Sequence, residues 1–366
     1  MSKIYNSIGL MSGTSLDGID VALIRTDGEN FVERGPNLTY AYMPDQQKNL
    51  RQALKDALAI TNRTQRPECL AKLEEDLTQW HGAALAKFFE VNNITSNTID
   101  VIGFHGQTVL HRPEQKLTVQ LGLGQIIADT FLIPVVYDMR ADDVAAGGQG
   151  APLVPVYHRA LAKNPPMAFV NIGGVANVTH ISANGELLAF DPGPGNALIN
   201  DWVHKHKGLA YDEGGALALA GNISAQHLKA ALENPYFQKR PPKSLDRNSF
   251  ESFSVEGLSL ENGAATLTAF TVHSIARAAR WFHEPVKTWV ICGGGRHNAA
   301  IMQGLREILG NVQSAEDAGY NGDSMEAEAW AYLAVRSLRG LPITFPGTTG
   351  VASELTGGIL VGENNK

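Results

Sequence analysis

Apolar positions open the chain in a strand rhythm. In "IGLMSGTSLDGIDVALI", Ile8 to Ile24, an apolar run gives way to small hydroxyl residues, glycines and two aspartates, then resumes over 21–24. The pattern predicts two strands joined by a turn, and a plain hairpin needs only an Asn-Gly or Asp-Gly pair. The turn Ser12-Gly13-Thr14-Ser15 carries more polar groups than reversing the chain requires. Helical spacing follows over 49–58, and again over 70–90 with Leu70, Leu73, Leu77, Trp80 and Leu85 recurring. "DVIGFHG" (100–106) predicts a buried strand running into a loop. "VQLGLGQIIADTFLIPVVYDM" predicts a helix and then a strand at 134–137. Further on, "MAFVNIGGVANVTHI" and "GELLAFDPGPGN" repeat the opening plan of apolar strand, glycine turn and strand. "TWVICGGGRHNAAIM" predicts a strand, three glycines and a helix beginning near Asn298, and 324–338 has helical spacing.

Two halves with one plan predict a duplicated α/β fold of two domains with a cleft between them. Length agrees, since 366 residues exceed the roughly 250–300 at which one core stops growing. The segment "RADDVAAGGQGAPLVP" (140–155), rich in glycine and small residues, places the boundary. The expected domains are therefore 1–140 and 141–366, with packing of the C-terminal segment back onto the first domain left open.

Composition narrows the function classes. The net charge of −7 is spread without acidic or basic blocks, which argues against nucleic acid or an anionic membrane as the main partner. Two cysteines, Cys69 and Cys292, fit a reducing compartment rather than a disulfide framework. No charged n-region precedes an apolar h-region, and no apolar run reaches the roughly 18–20 residues that span a bilayer. A soluble, cytoplasmic protein is expected. The histidines and cysteines show no H-E-x-x-H or C-x-x-C spacing, so a structural zinc site is not expected.

Candidate chemistry gathers at the glycine turns. Backbone N–H groups in Ser12–Ser15, in Gly173-Gly174 and in Gly293-Gly294-Gly295 can form concavities for phosphate oxygens. None fits G-x-x-x-x-G-K-[ST], and "GLGQIIAD" does not fit G-x-G-x-x-G. Each turn alone reads as ordinary structure. A nucleotide held by turns from both domains is the reading that uses all three. Asp191, at a strand end before Pro192-Gly193-Pro194-Gly195, reads evenly as a turn-capping residue or a general base. Asp142 and Asp143 read as loop acids before a metal pair, and Arg140, Lys243 and Arg247 as surface cations before ligand contacts.

The strings "GLMSGTSLDGIDVAL", "FHGQTVLHRP", "DDVAAGGQGAPLVP", "NIGGVANVT", "FDPGPGN" and "CGGGRHN" resemble, in this order, the anhydro-N-acetylmuramic acid kinases. "PPKSLDRNSF" and "GDSMEAEAWAYLAVR" extend the resemblance nearly to the C-terminus. It implies an actin-like, ribonuclease H-like duplicated sugar kinase fold that uses ATP and Mg²⁺ and acts on a small amino sugar. Gly13, Thr14, Ser15, Leu16, Asp17, Gly18, Ile19 and Asp20 would form the first phosphate loop, Gly173 and Gly174 belong to the second, and Gly293, Gly294, Gly295 and Asn298 lie in the adenosine motif. Asp191 would be the catalytic base, and His105, Gln107, Thr108 and Glu326 would contact the sugar. Related kinases usually place an aspartate where Met11 stands, so the metal would fall to Asp17 or Asp20 through water. The implied reaction opens the 1,6-anhydro bridge with water and phosphorylates O6, in the recycling of bacterial cell-wall sugars. The alternatives are an ordinary hexose or N-acetylhexosamine kinase of this fold, or a non-catalytic nucleotide switch. Whether the chain works as a homodimer is left open.

Overall fold

The computed structural model describes residues 2–13, 15–247, 249–250 and 252–362. Contacts divide the chain into two compact units, one built from 1–161 with 324–366 and the other from 162–323.

The first unit opens with an antiparallel meander of β1 (Tyr5–Ser12), β2 (Gly18–Thr26) and β3 (Val32–Ala41). α1 (Pro44–Asp56) and α2 (Leu70–Asn92) lead to β4 (Val101–Arg112), parallel to β1. β5 (Leu117–Leu121) folds back on β4, α3 (Gly124–Phe131) crosses, and β6 (Val135–Tyr137) lies parallel to β4. The short helices α4 (Ala141–Ala145) and α5 (Pro155–Leu161) follow.

The second unit begins with another meander, β7 (Met167–Ile172), β8 (Val175–Ile181) and β9 (Leu187–Pro194). Four helices follow: α6 (Ala197–Lys207), α7 (Ala216–Ala220), α8 (Ala225–Leu232) and α9 (Leu260–Ala276). β10 (Thr288–Cys292) lies parallel to β7, α10 (Ala299–Leu309) crosses, and β11 (Val312–Ser314) lies parallel to β10. The chain then returns to the first unit with α11 (Met325–Leu338), α12 (Pro346–Thr349) and β12 (Ile359–Val361), the last antiparallel to β6.

Strand order repeats between the units. It is β3-β2-β1-β4-β6 in the first and β9-β8-β7-β10-β11 in the second, with β12 and β5 added to the first sheet. In each, the opening strand has antiparallel partners on one side and parallel ones on the other. The repeated plan is the duplicated α/β fold the sequence pattern pointed to, and it fits the ribonuclease H-like fold the family resemblance implied.

α11 explains why its own sequence shows weak amphipathicity. Ala327 through Arg336 are all buried, so no solvent face is left to pattern. The helix lies directly on the sheet because two glycines let it. A Cβ on Gly9 would stand 1.7 Å from the Ala327 carbonyl oxygen, and one on Gly103 would stand 2.1 Å from that of Trp330.

The 140/141 boundary read from composition falls inside the first unit, between β6 and α4. The glycine-rich segment is packed around a carboxylate. Asp143, buried, accepts from the Gly150 N–H at 2.6 Å and from the Thr349 hydroxyl at 2.6 Å, and the Gln149 N–H reaches the Thr349 carbonyl at 2.7 Å. Asp142 accepts from the Gly358 N–H. The acid pair thus ties the segment to the C-terminal tail.

Candidate active site

The first turn is shorter than the apolar pattern suggested. β2 begins at Gly18, so Gly18, Ile19 and Asp20 are strand residues paired with β3, and residues 13–17 make the connection. Thr14 lies outside the described residues. A Cβ on Gly13 would meet only ordinary van der Waals contacts, the nearest the Ser15 hydroxyl at 3.4 Å. Gly18 is required by packing, since a Cβ there would stand 2.3 Å from the Tyr40 carbonyl oxygen. Leu16, buried, takes a left-handed φ of 57° and donates its N–H to the Gly13 carbonyl at 3.3 Å. The exposed Asp17 carboxylate accepts from the Ser15 hydroxyl at 2.7 Å, and Asp20 accepts from the Thr39 hydroxyl at 2.6 Å.

β4 continues through "FHGQT", where the sequence suggested a loop, so His105, Gln107 and Thr108 are strand residues. The structure gathers the first two at Ser12. The Ser12 hydroxyl donates to Gln107 Oε1 at 2.5 Å and pairs with the Tyr42 hydroxyl at 2.7 Å, while Gln107 Nε2 donates to the Gly13 carbonyl at 3.2 Å. His105 Nδ1 lies 3.1 Å from the Ser12 carbonyl oxygen. Its Nε2 lies 3.2 Å from both Nε and Nη2 of Arg140. A guanidinium has only donors, so Nε2 accepts and Nδ1 carries the proton. Burial, with the Arg140 charge beside it, holds this imidazole well below its ordinary pKa, and it is neutral. Thr108 goes elsewhere: its hydroxyl accepts from Gln120 Nε2 at 3.2 Å.

Arg140 and Trp330 complete this cluster, and neither was singled out as a contact with His105. The Trp330 ring lies 4.5 Å from the imidazole, and the Arg140 guanidinium lies 5.2 Å from the Trp330 ring. Burial lowers the guanidinium to about 10, while the charges of Glu326 and Asp143 pull it upward. Glu326 sits in the first turn of α11, where a carboxylate also meets the positive end of the helix dipole.

In the second unit the glycine motifs converge. The Gly173 carbonyl accepts from the Asn196 N–H at 2.7 Å, and the Gly174 carbonyl accepts from the N–H groups of Gly195 and Ala197. A Cβ on Gly195 would stand 2.2 Å from the Gly173 oxygen. Gly293, at φ 70°, leaves no room for one either, with Asn171 Oδ1 2.1 Å away, and Gly295 packs on Ile172. Gly173, Gly174 and Gly294, by contrast, have no neighbour within about 3.6 Å of such an atom. The tight glycines shape the concavity, and the open ones leave backbone approachable. Asn298 serves α10 as its N-cap, accepting from the Ile301 N–H at 3.1 Å. Arg296, buried, donates to the Gly293 carbonyl at 2.9 Å and pairs with Glu316 and Asp323.

Asp191 lies on β9, two residues before Gly193. One carboxylate oxygen accepts from the Leu245 N–H at 2.9 Å. Its backbone is held from both sides: the N–H donates to the Lys243 carbonyl, and the carbonyl accepts from the Tyr236 hydroxyl at 2.6 Å. Burial raises the carboxyl to about 7, against the opposing Leu245 bond and Lys243 charge. Lys243 stands over the Tyr236 ring at 4.2 Å and is itself lowered by burial to about 8. The string "PPKSLDRNSF" was the available signal for this support. Arg247 instead pairs with Asp201 on the surface.

Among the described residues, no group of three or more His, Cys, Asp or Glu is arranged to hold a metal ion. Mg²⁺ on a nucleotide keeps several waters and needs only one or two carboxylates besides phosphate. Asp17, exposed on its turn, and Asp20 nearby on β2 fit that lean requirement. No helix among the described residues is long and apolar enough to cross a membrane.

A profile of the anhydro-N-acetylmuramic acid kinase family matches residues 5–362. The anhydro-N-acetylmuramic acid kinase of Agrobacterium fabrum is 49% identical, across 99% of this chain and all of that one. That of Methylobacterium nodulans is 52% identical, across 96% of this chain and 98% of its own. Among solved structures, component A of Acidaminococcus fermentans (R)-2-hydroxyglutaryl-CoA dehydratase aligns with 92% of this chain and 99% of its own, at a TM-score of 0.47 and 13% identity. With a family profile spanning both units and full-length relatives near half identity, this chain belongs to the anhydro-N-acetylmuramic acid kinase family.

Proposed function

We propose that this protein converts 1,6-anhydro-N-acetylmuramic acid, water and ATP into N-acetylmuramic acid 6-phosphate and ADP, with Asp191 as the base. The observation that carries this is the Asp191 carboxyl: held inside β9, where the pairing with β8 shifts register, and not at the strand end the sequence suggested, supported by one backbone donor, and raised to about 7. A base whose pKa lies near the working pH combines a useful deprotonated fraction with a real affinity for the proton.

The ionised carboxylate takes a proton from water as that water's oxygen attacks the anomeric carbon. The C1–O6 bond breaks and its electron pair goes to O6. O6 attacks the γ-phosphorus, and the bond to the β-phosphate oxygen breaks, releasing ADP. Gly13–Asp20, Gly173 and Gly174 are assigned to the phosphates, and Gly293–Gly295 with Asn298 to the nucleoside. Asn298 Oδ1 is committed to its helix, so its part there is to set where α10 begins. Asp17 and Asp20 would hold Mg²⁺ through its waters, and that ion would neutralise charge on the phosphates. His105, Gln107, Thr108 and Glu326 are assigned to the sugar. His105 is a fixed neutral group there, because Arg140 occupies the nitrogen that would otherwise take a proton.

Mass spectrometry of the products formed in ¹⁸O-water tests the reading. Label on the anomeric oxygen with phosphate on O6 is the expected result. Phosphorylation without label, or faster turnover of a sugar lacking the anhydro bridge, would replace it with an ordinary sugar kinase.

A further inference from the structure

β9 is the edge strand of the second sheet, and its pairing with β8 breaks at Asp191. Val178 pairs with Phe190 and Ala176 with Gly193, so Asp191 and Pro192 stand opposite Asn177 alone. Two residues facing one make a bulge, which re-aims a side chain and takes the bulged backbone out of the ladder. Pro192 has no N–H to satisfy. Asp191 has an N–H and a carbonyl, and both need partners from outside the ladder.

Residues 236–245 supply them. The Tyr236 hydroxyl donates to the Asp191 carbonyl at 2.6 Å, and the Asp191 N–H donates to the Lys243 carbonyl at 3.0 Å. The Leu245 N–H donates to Asp191 Oδ2 at 2.9 Å, which leaves Oδ1 to take a proton. Of these contacts, only the first is offered by a side chain of the segment. Tyr236 is itself fixed. Its N–H donates to Asn234 Oδ1 at 2.9 Å, the Lys243 amine donates to its carbonyl at 3.1 Å, and its ring packs edge-on against Phe237 and Phe250. Tyr236 is buried, and burial with the Asp191 charge beside it holds the phenol well above its ordinary range, so it stays a donor.

We propose that Tyr236 is a positioning residue for the reaction, its hydroxyl holding the Asp191 carbonyl so that the bulge keeps the carboxylate turned to the water it deprotonates. This rests on the reading of Asp191 as the base. Without the hydroxyl, the Asp191 carbonyl loses its donor, and a covered carbonyl left bare favours a backbone shift that lets water in. The carboxylate moves with the bulge. Burial is what raises this carboxyl to about 7, with the Asp246 charge adding to the rise and the Leu245 bond and Lys243 charge opposing it. An opened bulge hydrates the group and returns it toward its ordinary value. Aim and proton affinity are therefore lost together, whereas a tyrosine that only filled space would cost stability alone.

Tyr236→Phe keeps the ring and removes only the hydroxyl. It should lower kcat about tenfold to a hundredfold while KM for the anhydro sugar stays at the parental value. In ¹³C NMR of the aspartate carboxyls of the full chain, assigned against Asp191→Asn, the Asp191 midpoint should fall from about 7 to about 6 or below. The rising limb of kcat/KM should move to lower pH with it. Phe270→Leu is the control, since its ring meets Phe237 and Phe250 in the same aromatic cluster while the Tyr236 hydroxyl is kept. It should lower the melting temperature and leave kcat and the Asp191 midpoint parental. In Tyr236→Phe, an unmoved midpoint, a kcat within about twofold of the parent, or a loss carried by KM would overturn the proposal, as would an equal fall of the midpoint in Phe270→Leu. The midpoint reads the Asp191 carboxyl whether or not it is the base. Failure of the base reading, seen as turnover surviving in Asp191→Asn, is thus distinct from failure of this one.

Discussion

Asp191 shows how one residue can be useful and costly at once. Unfolded, its carboxyl has an ordinary pKa of 3.8; folded, burial raises it to about 7. Between those values the native state holds a proton that the unfolded state has released, so this residue's contribution to stability falls as pH rises through the window. Asp191→Asn removes the charge that the fold hosts poorly. Its melting temperature relative to the parent should therefore rise more at about pH 8 than at about pH 5, as calorimetry would show. The same substitution should cut kcat by at least 10²–10⁴-fold while sugar and ATP binding, read by titration calorimetry, persist. More than a tenth of parental turnover would mean that another base acts. In the parent, kcat/KM should climb as the group ionises and level off above about pH 7; a profile already flat from about pH 5 would exclude Asp191 as that base.

At the scale of elements, α11 on the first sheet is the contact most sensitive to a single atom. Gly9→Ala forces a methyl group into the Ala327 carbonyl and should cost at least about 3 kcal/mol, whereas Gly13→Ala, whose methyl group would meet only ordinary contacts, should leave denaturant midpoints unchanged. Equal losses in the two would show that the helix moves freely off the sheet. Gly13→Val is expected to weaken ATP binding and spare the sugar, and nucleotide titration of the folded variant checks this. The sequence made much of this visible and hid some of it for definite reasons. The strand–glycine–strand repeats were legible because buried strands are apolar and their turns are not. The end of the first glycine turn was not: Gly18 and Asp20 look like loop residues, yet Gly18 is small because Tyr40 lies against it. "FHGQT" hid its strand for a similar reason, since its polar groups find partners elsewhere in the fold: Ser12 and Arg140 for His105, Ser12 and Gly13 for Gln107, and Gln120 for Thr108. The boundary was misplaced because composition cannot distinguish a flexible glycine-rich linker from one wound around a buried aspartate.

For the whole molecule, the chain leaves the first unit after Leu161 and re-enters it at Ser324. The second crossing is anchored inside the first unit. Buried Glu328 accepts from the Tyr157 hydroxyl at 2.6 Å and from the Ser324 hydroxyl at 2.9 Å, joining the last helix before one crossing to the first residue after the other. A chain ending at Asp323 should consequently lose the first unit's tertiary structure, not merely a tail, while 162–323 keeps its own. Amide hydrogen exchange would show protection surviving on β7 and β10 but lost from β1 and β4. Protection retained on β1 would mean that the first sheet does not need α11.

The groove over Gly9 and Gly103 also imposes an order of events on the ribosome. The residues that line it are made first, and the helix that fills it is made almost last. All 162 residues from Ala162 to Asp323 are polymerised in between, a delay of roughly 10–30 s at ordinary elongation rates. For that time the nascent first sheet presents an apolar trench with no occupant, while the segment behind it can already close its own core. Synthesis from the N-terminus therefore completes the second unit before the first, and the growing chain is most in need of a chaperone at its oldest end.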